Sequence, residues 1–126
     1  MTPNPMTVNR SLAVFAALNG AMAVMVGSFG AHGAGPAIKT LLTTGAHYQI
    51  VHALLALLCA AWPLRSRLTD VGGWLAAAGG LVFCLAMILT GRNTAFGAVA
   101  PIGGMLMIAA WLLLAFAALR NPPSRA

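Results

Sequence analysis

Apolar and polar positions do not alternate along this chain but segregate into long blocks. Four apolar runs, at about residues 11–31, 41–62, 71–90 and 101–119, are separated by short stretches that hold nearly all the charge. Each run is close to the roughly 20 residues a helix needs to cross the hydrocarbon of a bilayer. Backbone groups left unpaired in lipid are costly, so each run is predicted to be a helix rather than an open strand. The pattern predicts an all-α, integral membrane four-helix bundle, with residues 11–119 as a single four-span domain. Residues 1–10 read as a disordered cytoplasmic leader and 120–126 as a short cytoplasmic tail.

Breakers punctuate the runs. Pro63 stops the second, and Gly91-Arg92-Asn93 ends the third. Pro101 suits a first helical turn, where its missing N–H has no partner to lose. Between the first and second runs lies GSFGAHGAGP, residues 27–36. Its glycines suit a helix end through left-handed backbone, with Pro36 blocking continuation. They also suit a re-entrant turn anchored by Phe29, tolerated at membrane depth where it lines a cavity. The helix end is the simpler reading.

Small residues recur at helical spacing. Ala13, Ala17, Gly20, Ala23, Gly27 and Ala31 form one stripe, and Gly73, Ala77, Gly80 and Cys84 another. Such stripes let helix backbones approach closely, which drives association in lipid. Gly20, Gly27, Gly30, Gly73, Gly80, Gly103 and Gly104 are the candidate packing glycines. The last two weaken the start of the fourth helix unless another backbone lies against them.

Composition fixes the solvent. Of the 126 residues, 60% are hydrophobic and 6% are charged, against about 25% charged in soluble domains. The net charge of +6 is spread singly or in pairs, without the basic, aromatic-interleaved patch of a nucleic-acid binder. Arg10, Arg65, Arg67, Arg120 and Arg125 fall on the side of the termini with Asp70, against Lys39 and Arg92 on the other. That asymmetry predicts cytoplasmic N- and C-termini. Arg10 with Ala21-Met22-Ala23 imitates a cleavable signal peptide, but the apolar run continues through Val24, Met25 and Val26, which favours an uncleaved span. Cys59 and Cys84 fall at different depths, so they read as small buried residues rather than a disulfide or a metal site.

The chemistry-bearing residues are few. Asp70 is the only acid and lies at a loop edge, so no intramembrane carboxylate is present to carry a proton through an exporter. A Ser–His–acid triad and a carboxylate pair are excluded by the same count, and no catalytic residue is expected. What remains is AHYQIVHA, residues 46–53. Tyr48, Gln49 and His52 lie three or four residues apart and are expected to share one helical face. His52 falls near mid-depth, while His47 points elsewhere, towards the outer interface. With His32 across the loop they form a candidate cluster. It suits interhelical hydrogen bonding, a pocket for a quinone or lipid, or, more weakly, metal or haem ligation by His52 and His32. No metal or cofactor is expected.

Taken together, Gly27-Ser28-Phe29-Gly30-Ala31-His32, Thr44-Gly45, Tyr48-Gln49, His52-Ala53, Pro101-Ile102-Gly103-Gly104 and Trp111 resemble domain of unknown function family 423. These are small membrane proteins of bacteria, grouped with the transmembrane protein 256-like proteins of animals. The resemblance covers about residues 11–119 and implies a four-helix protein of the bacterial inner membrane. It brings no activity with it. Two departures stand out: Ser28 replaces a usual alanine, and Cys84-Leu85-Ala86-Met87-Ile88 is wholly apolar where the family tends to be Ser/Gly-rich with a tyrosine after the position of Phe83.

The expectation is a non-catalytic accessory or structural subunit packed against other membrane proteins, itself or lipid. The alternative is a binding protein for a quinone or lipid at an outer-leaflet pocket of Tyr48, Gln49, His52 and His32. The orientation is testable. A fluorescent protein fused after residue 126 should fluoresce, and alkaline phosphatase joined after residue 93 should be active; the opposite pair of signals overturns the assigned sidedness.

Overall fold

The computed structural model describes residues 7–120. They form α1 (Arg10–His32), α2 (Pro36–Ala60), α3 (Arg67–Thr90) and α4 (Ala100–Arg120), with a 3₁₀ helix (Thr94–Val99) leading into α4. All four helices are long and apolar enough to cross a membrane. At 1.5 Å per residue, the 23 residues of α1 reach roughly 35 Å, enough for a hydrocarbon core of about 30 Å. Residues 1–6 of the expected leader and 121–126 of the expected tail lie outside the described residues.

Helix boundaries differ from the apolar runs because capping chemistry, not hydrophobicity, sets them. α2 starts at Pro36, not near residue 41, since proline fits the first turn after Gly35. α3 starts at Arg67, not near residue 71. Ser66 caps it in a box with Thr69, the Thr69 N–H donating to Ser66 Oγ and the Ser66 N–H to Thr69 Oγ1. The 3₁₀ helix, TAFGAV, falls outside the four apolar runs and is capped by Asn93, whose Oδ1 accepts from the Ala95 N–H at 2.9 Å.

The last residues of the leader carry hydrogen bonds to the bundle. Asn9 caps α1, its Oδ1 accepting from the Leu12 N–H at 3.1 Å, and its own N–H donates to the Ala60 carbonyl at 2.9 Å. Arg65 ties this end together, donating to the Thr7 carbonyl at 3.2 Å and pairing with Asp70 at 3.0 Å.

GSFGAHGAGP is a plain helix-to-helix turn, with α1 running through His32 and α2 starting at Pro36. The amides of Gly33 and Ala34 both donate to the Phe29 carbonyl. Left-handed backbone is not used, since no described glycine has positive φ. At Gly33 a Cβ would lie 2.8 Å from the Phe29 ring, so a larger residue there needs that exposed ring to shift.

α2 and α3 form the centre of the bundle; α1 packs chiefly on α2 and α4 chiefly on α3, with a smaller α1–α3 contact. The α3 stripe of Gly73, Ala77, Gly80 and Cys84 is buried. The α1 stripe is rotated from its expected position, because the buried line is Leu12, Ala16, Asn19, Ala23 and Gly30, whereas Ala17 and Ala31 are exposed. Leu12 and Asn19 are not small, so a search for small residues alone misplaces the seam.

Backbone contact is closest between α3 and α4. A Cβ on Gly103 would lie 2.6 Å from the Phe83 amide nitrogen, and one on Gly79 would lie 2.9 Å from the Met107 nitrogen. Gly73 is similarly tight, 2.8 Å from Cys59 Cβ, while Gly27, Gly30 and Gly80 sit against α2 at 3.0–3.4 Å and Gly20 is loose at 3.9 Å. Gly104 meets nothing within 4 Å, so it is not a packing glycine. Gly103→Ala should therefore push α4 off α3 and cost about 1–3 kcal/mol. Gly104→Ala should be neutral or slightly stabilising through helix propensity. Thermal midpoints of the two variants in detergent check this pair.

Candidate functional site

The polar residues of α2 divide between two neighbours instead of sharing one face. Successive helical residues are about 100° apart, so Gln49 is turned away from Tyr48. Gln49 is fully buried, and its Nε2 donates to Asn19 Oδ1 on α1 at 2.9 Å. Asn19 Nδ2 in turn donates to the Phe15 carbonyl at 3.0 Å. This amide pair clamps α1 to α2, though Gln49 Oε1 keeps no partner among the described residues.

His52 lies on the side of Tyr48 and faces α4. Its Nδ1 is 2.7 Å from the Tyr48 carbonyl, and its Nε2 is 3.0 Å from Trp111 Nε1. A carbonyl can only accept and an indole N–H can only donate. The imidazole is therefore neutral with its hydrogen on Nδ1, and Nε2 accepts from Trp111. Both ring nitrogens are used within the chain, which leaves no lone pair for the metal or haem ligation weighed from the sequence.

Around this pair the aromatic side chains converge. Tyr48 meets Phe83 edge-on with ring centroids 5.1 Å apart, and His52 meets Trp111 edge-on at 5.9 Å. Edge-to-face contacts place the positive rim of one ring on the negative face of the next. They form walls of a cleft of about 490 Å³ between α2, α3 and α4, completed by Thr44, Gly104, Met107 and Ile108. Tyr48 and Trp111 are both exposed where they line it. Their phenol and indole rings combine an apolar body with one polar atom, which suits a lipid-facing wall.

His32 does not join this cleft. It is the last residue of α1 and is exposed, whereas the cleft is built on α2, α3 and α4. Physical proximity in sequence to the α1–α2 turn does not bring it to mid-depth. Gln49 also lies outside the cleft lining. Of the four expected cluster members, Tyr48 and His52 share the site. Asn19 was not anticipated as a partner of Gln49. Its signal was present, since an amide inside AALNGAMA is costly in lipid without a partner, but nothing local identifies a partner 30 residues away. Cys84, at the head of the apolar departure on α3, is buried, and a Cβ on Gly45 would lie 3.2 Å from its Cα.

Comparisons with known proteins agree with this architecture. The family described as "Protein of unknown function (DUF423)" matches residues 26–104, which include α2, α3 and the Gly103-Gly104 pair. UPF0382 membrane protein YwdK of Bacillus subtilis (strain 168) is 32% identical, the match covering 85% of this chain and 94% of that protein. UPF0382 membrane protein SAB0533 of Staphylococcus aureus (strain bovine RF122 / ET3-1) is 32% identical over 82% of this chain and 91% of its own length. A UPF0382 membrane protein of Staphylococcus epidermidis (strain ATCC 12228 / FDA PCI 1200) is 33% identical over 85% and 93%. No solved structure matches. With a family match over more than half its length and relatives similar over more than four-fifths of it, the chain belongs to the DUF423 family of small membrane proteins.

Proposed function

We propose that this protein is a non-catalytic binding protein for a lipophilic ligand, which enters the α2–α3–α4 cleft from the bilayer. The observation that carries the reading is the convergence of Tyr48, Phe83, Trp111 and the Thr44 hydroxyl in a cleft of about 490 Å³. Small-molecule sites commonly occupy roughly 300–1,000 Å³, with apolar walls and a few placed polar groups. Thr44 and Tyr48 stand four apart on α2, so their hydroxyls lie along one side of the cleft. Neither makes an intrachain hydrogen bond among the described residues. Aromatic walls with two available hydroxyls suit a planar ring bearing carbonyl oxygens, which is the chemistry of a quinone.

His52 has a positioning role in this reading. Its bond to Trp111 holds the indole against α2, so the cleft keeps its shape when empty. The Asn19–Gln49 pair belongs to bundle assembly rather than to the ligand. This reading keeps the cytoplasmic termini that the charge asymmetry predicts, with Arg10, Arg65, Arg67 and Arg120 towards one end of their helices and Lys39 and Arg92 towards the other.

A second reading, an accessory subunit, draws on α1. Ala17, Ala21 and Ser28 are small and exposed on its outward surface, where a helix of another protein could approach closely.

The ligand reading is tested with Trp62→Phe and Trp74→Phe combined, leaving Trp111 as the only indole. Titration with a short-chain quinone in detergent should quench its fluorescence saturably. Tyr48→Phe should weaken binding by about threefold to tenfold, the worth of one hydrogen bond, and Ile108→Phe, which adds no indole, should fill the cleft and abolish saturation. Linear quenching that is indifferent to both substitutions sinks the proposal. Quantitative co-purification of one other membrane protein would then favour the accessory role.

A further inference from the structure

A second cleft, distinct from the aromatic one, opens at the end of the bundle that carries the α1–α2 turn. It measures about 380 Å³ and lies between Met25, Val26 and Phe29 of α1, Ile38 and Leu42 of α2, and Ile88 with Arg92 at the end of α3. Its walls are apolar except for one charged group, the exposed Arg92 at its rim.

That cation has no acidic side chain to meet. The only carboxylate side chain of the chain belongs to Asp70, which is at the opposite end of α3 and pairs with Arg65 at 3.0 Å. Lys39 lies in the first turn of α2, one residue after Ile38 of the cleft wall, and is exposed. The cleft is therefore an apolar slot with one cation, Arg92, at its rim and no side-chain anion at that end.

We propose that this cleft is a binding site for one anionic glycerophospholipid. An acyl chain occupies the slot between α1 and α2, and the headgroup phosphate pairs with the Arg92 guanidinium. Depth supports the assignment: Arg92 lies two residues beyond the end of α3 at Thr90, at the level of lipid headgroups, while Leu42 and Val26 lie about a turn or more inside their helices. Chemistry supports it as well. A guanidinium presents a planar fork of donors that matches phosphate oxygens, and such charge-assisted pairs are stronger than neutral ones. A zwitterionic lipid offers the same tail but adds a cation to the headgroup, so charge complementarity selects the anionic class. The site is independent of the aromatic cleft and of any ligand there.

Native mass spectrometry of the full chain in detergent tests this with equal amounts of dioleoyl phosphatidylglycerol and dioleoyl phosphatidylcholine, which share their tails. The first bound lipid should be predominantly phosphatidylglycerol. Arg92→Gln should reduce that preference about fivefold, the worth of one interfacial basic residue. Arg10→Gln removes the same charge at the other end and should leave the preference unchanged. Val26→Trp should block the slot and reduce the first adduct of both lipids. Arg92 and Arg10 are both exposed, so neither substitution disturbs folding, and matched thermal midpoints confirm it. Equal binding of the two lipids by the wild type overturns the proposal, as does an equal loss of preference in Arg10→Gln and Arg92→Gln. Displacement of the lipid by excess glycerol 3-phosphate would make the site one for free phosphate and also overturn it.

Discussion

α3 buries no side chain larger than cysteine or threonine: its inward positions are Thr69, Gly72, Gly73, Ala76, Ala77, Gly79, Gly80, Cys84 and Ala86. Lipid supplies no hydrophobic force to press helices together, so association depends on how closely their atoms can pack. A helix with so little bulk can be approached on two sides at once. α2 lies along one side, with Gly80 against the Gln49 backbone, and α4 along the other, with Gly79 and Gly103 interlocked. α2 and α4 are both hung from this helix, and α1 is carried chiefly by α2. None of its large side chains is fully buried, and half-buried Phe83 becomes a wall of the aromatic cleft.

The span count was legible because its cause is one-dimensional. A hydrocarbon layer of fixed thickness imposes a run of fixed length, and four such runs are written in the residue order. Boundaries were less legible because they depend on caps. Ser66 with Thr69 draws α3 four residues earlier than its apolar run, and Pro36 opens α2 as well as closing off α1. The α3 stripe could be read directly since small residues fill its whole seam. On α1 the seam includes Leu12 and Asn19, so spacing of small residues alone selected a line rotated towards lipid.

The candidate site was half legible for a related reason. Helical spacing places Tyr48 and His52 together, but it does not say which neighbour each residue meets. Gln49 found an amide on α1 and His52 an indole on α4, both far away in sequence. Such pairings depend on the rotation of each helix about its axis, which is decided by packing across the whole bundle. His32 was drawn into the cluster by its closeness to α2 in the chain. Its place at the tip of α1 separates it from mid-depth by the length of helix between.

The bond between Trp111 and His52 has a consequence for how the helices can turn. A neutral imidazole has one donor and one acceptor, on opposite sides of a rigid ring. Here Nε2 accepts from an indole N–H of α4, and Nδ1 donates to the Tyr48 carbonyl one turn back along α2. Rotating either helix about its axis breaks at least one of the two bonds. A single ring thus works as a rotational key, fixing which face of α2 and which face of α4 meet across the cleft.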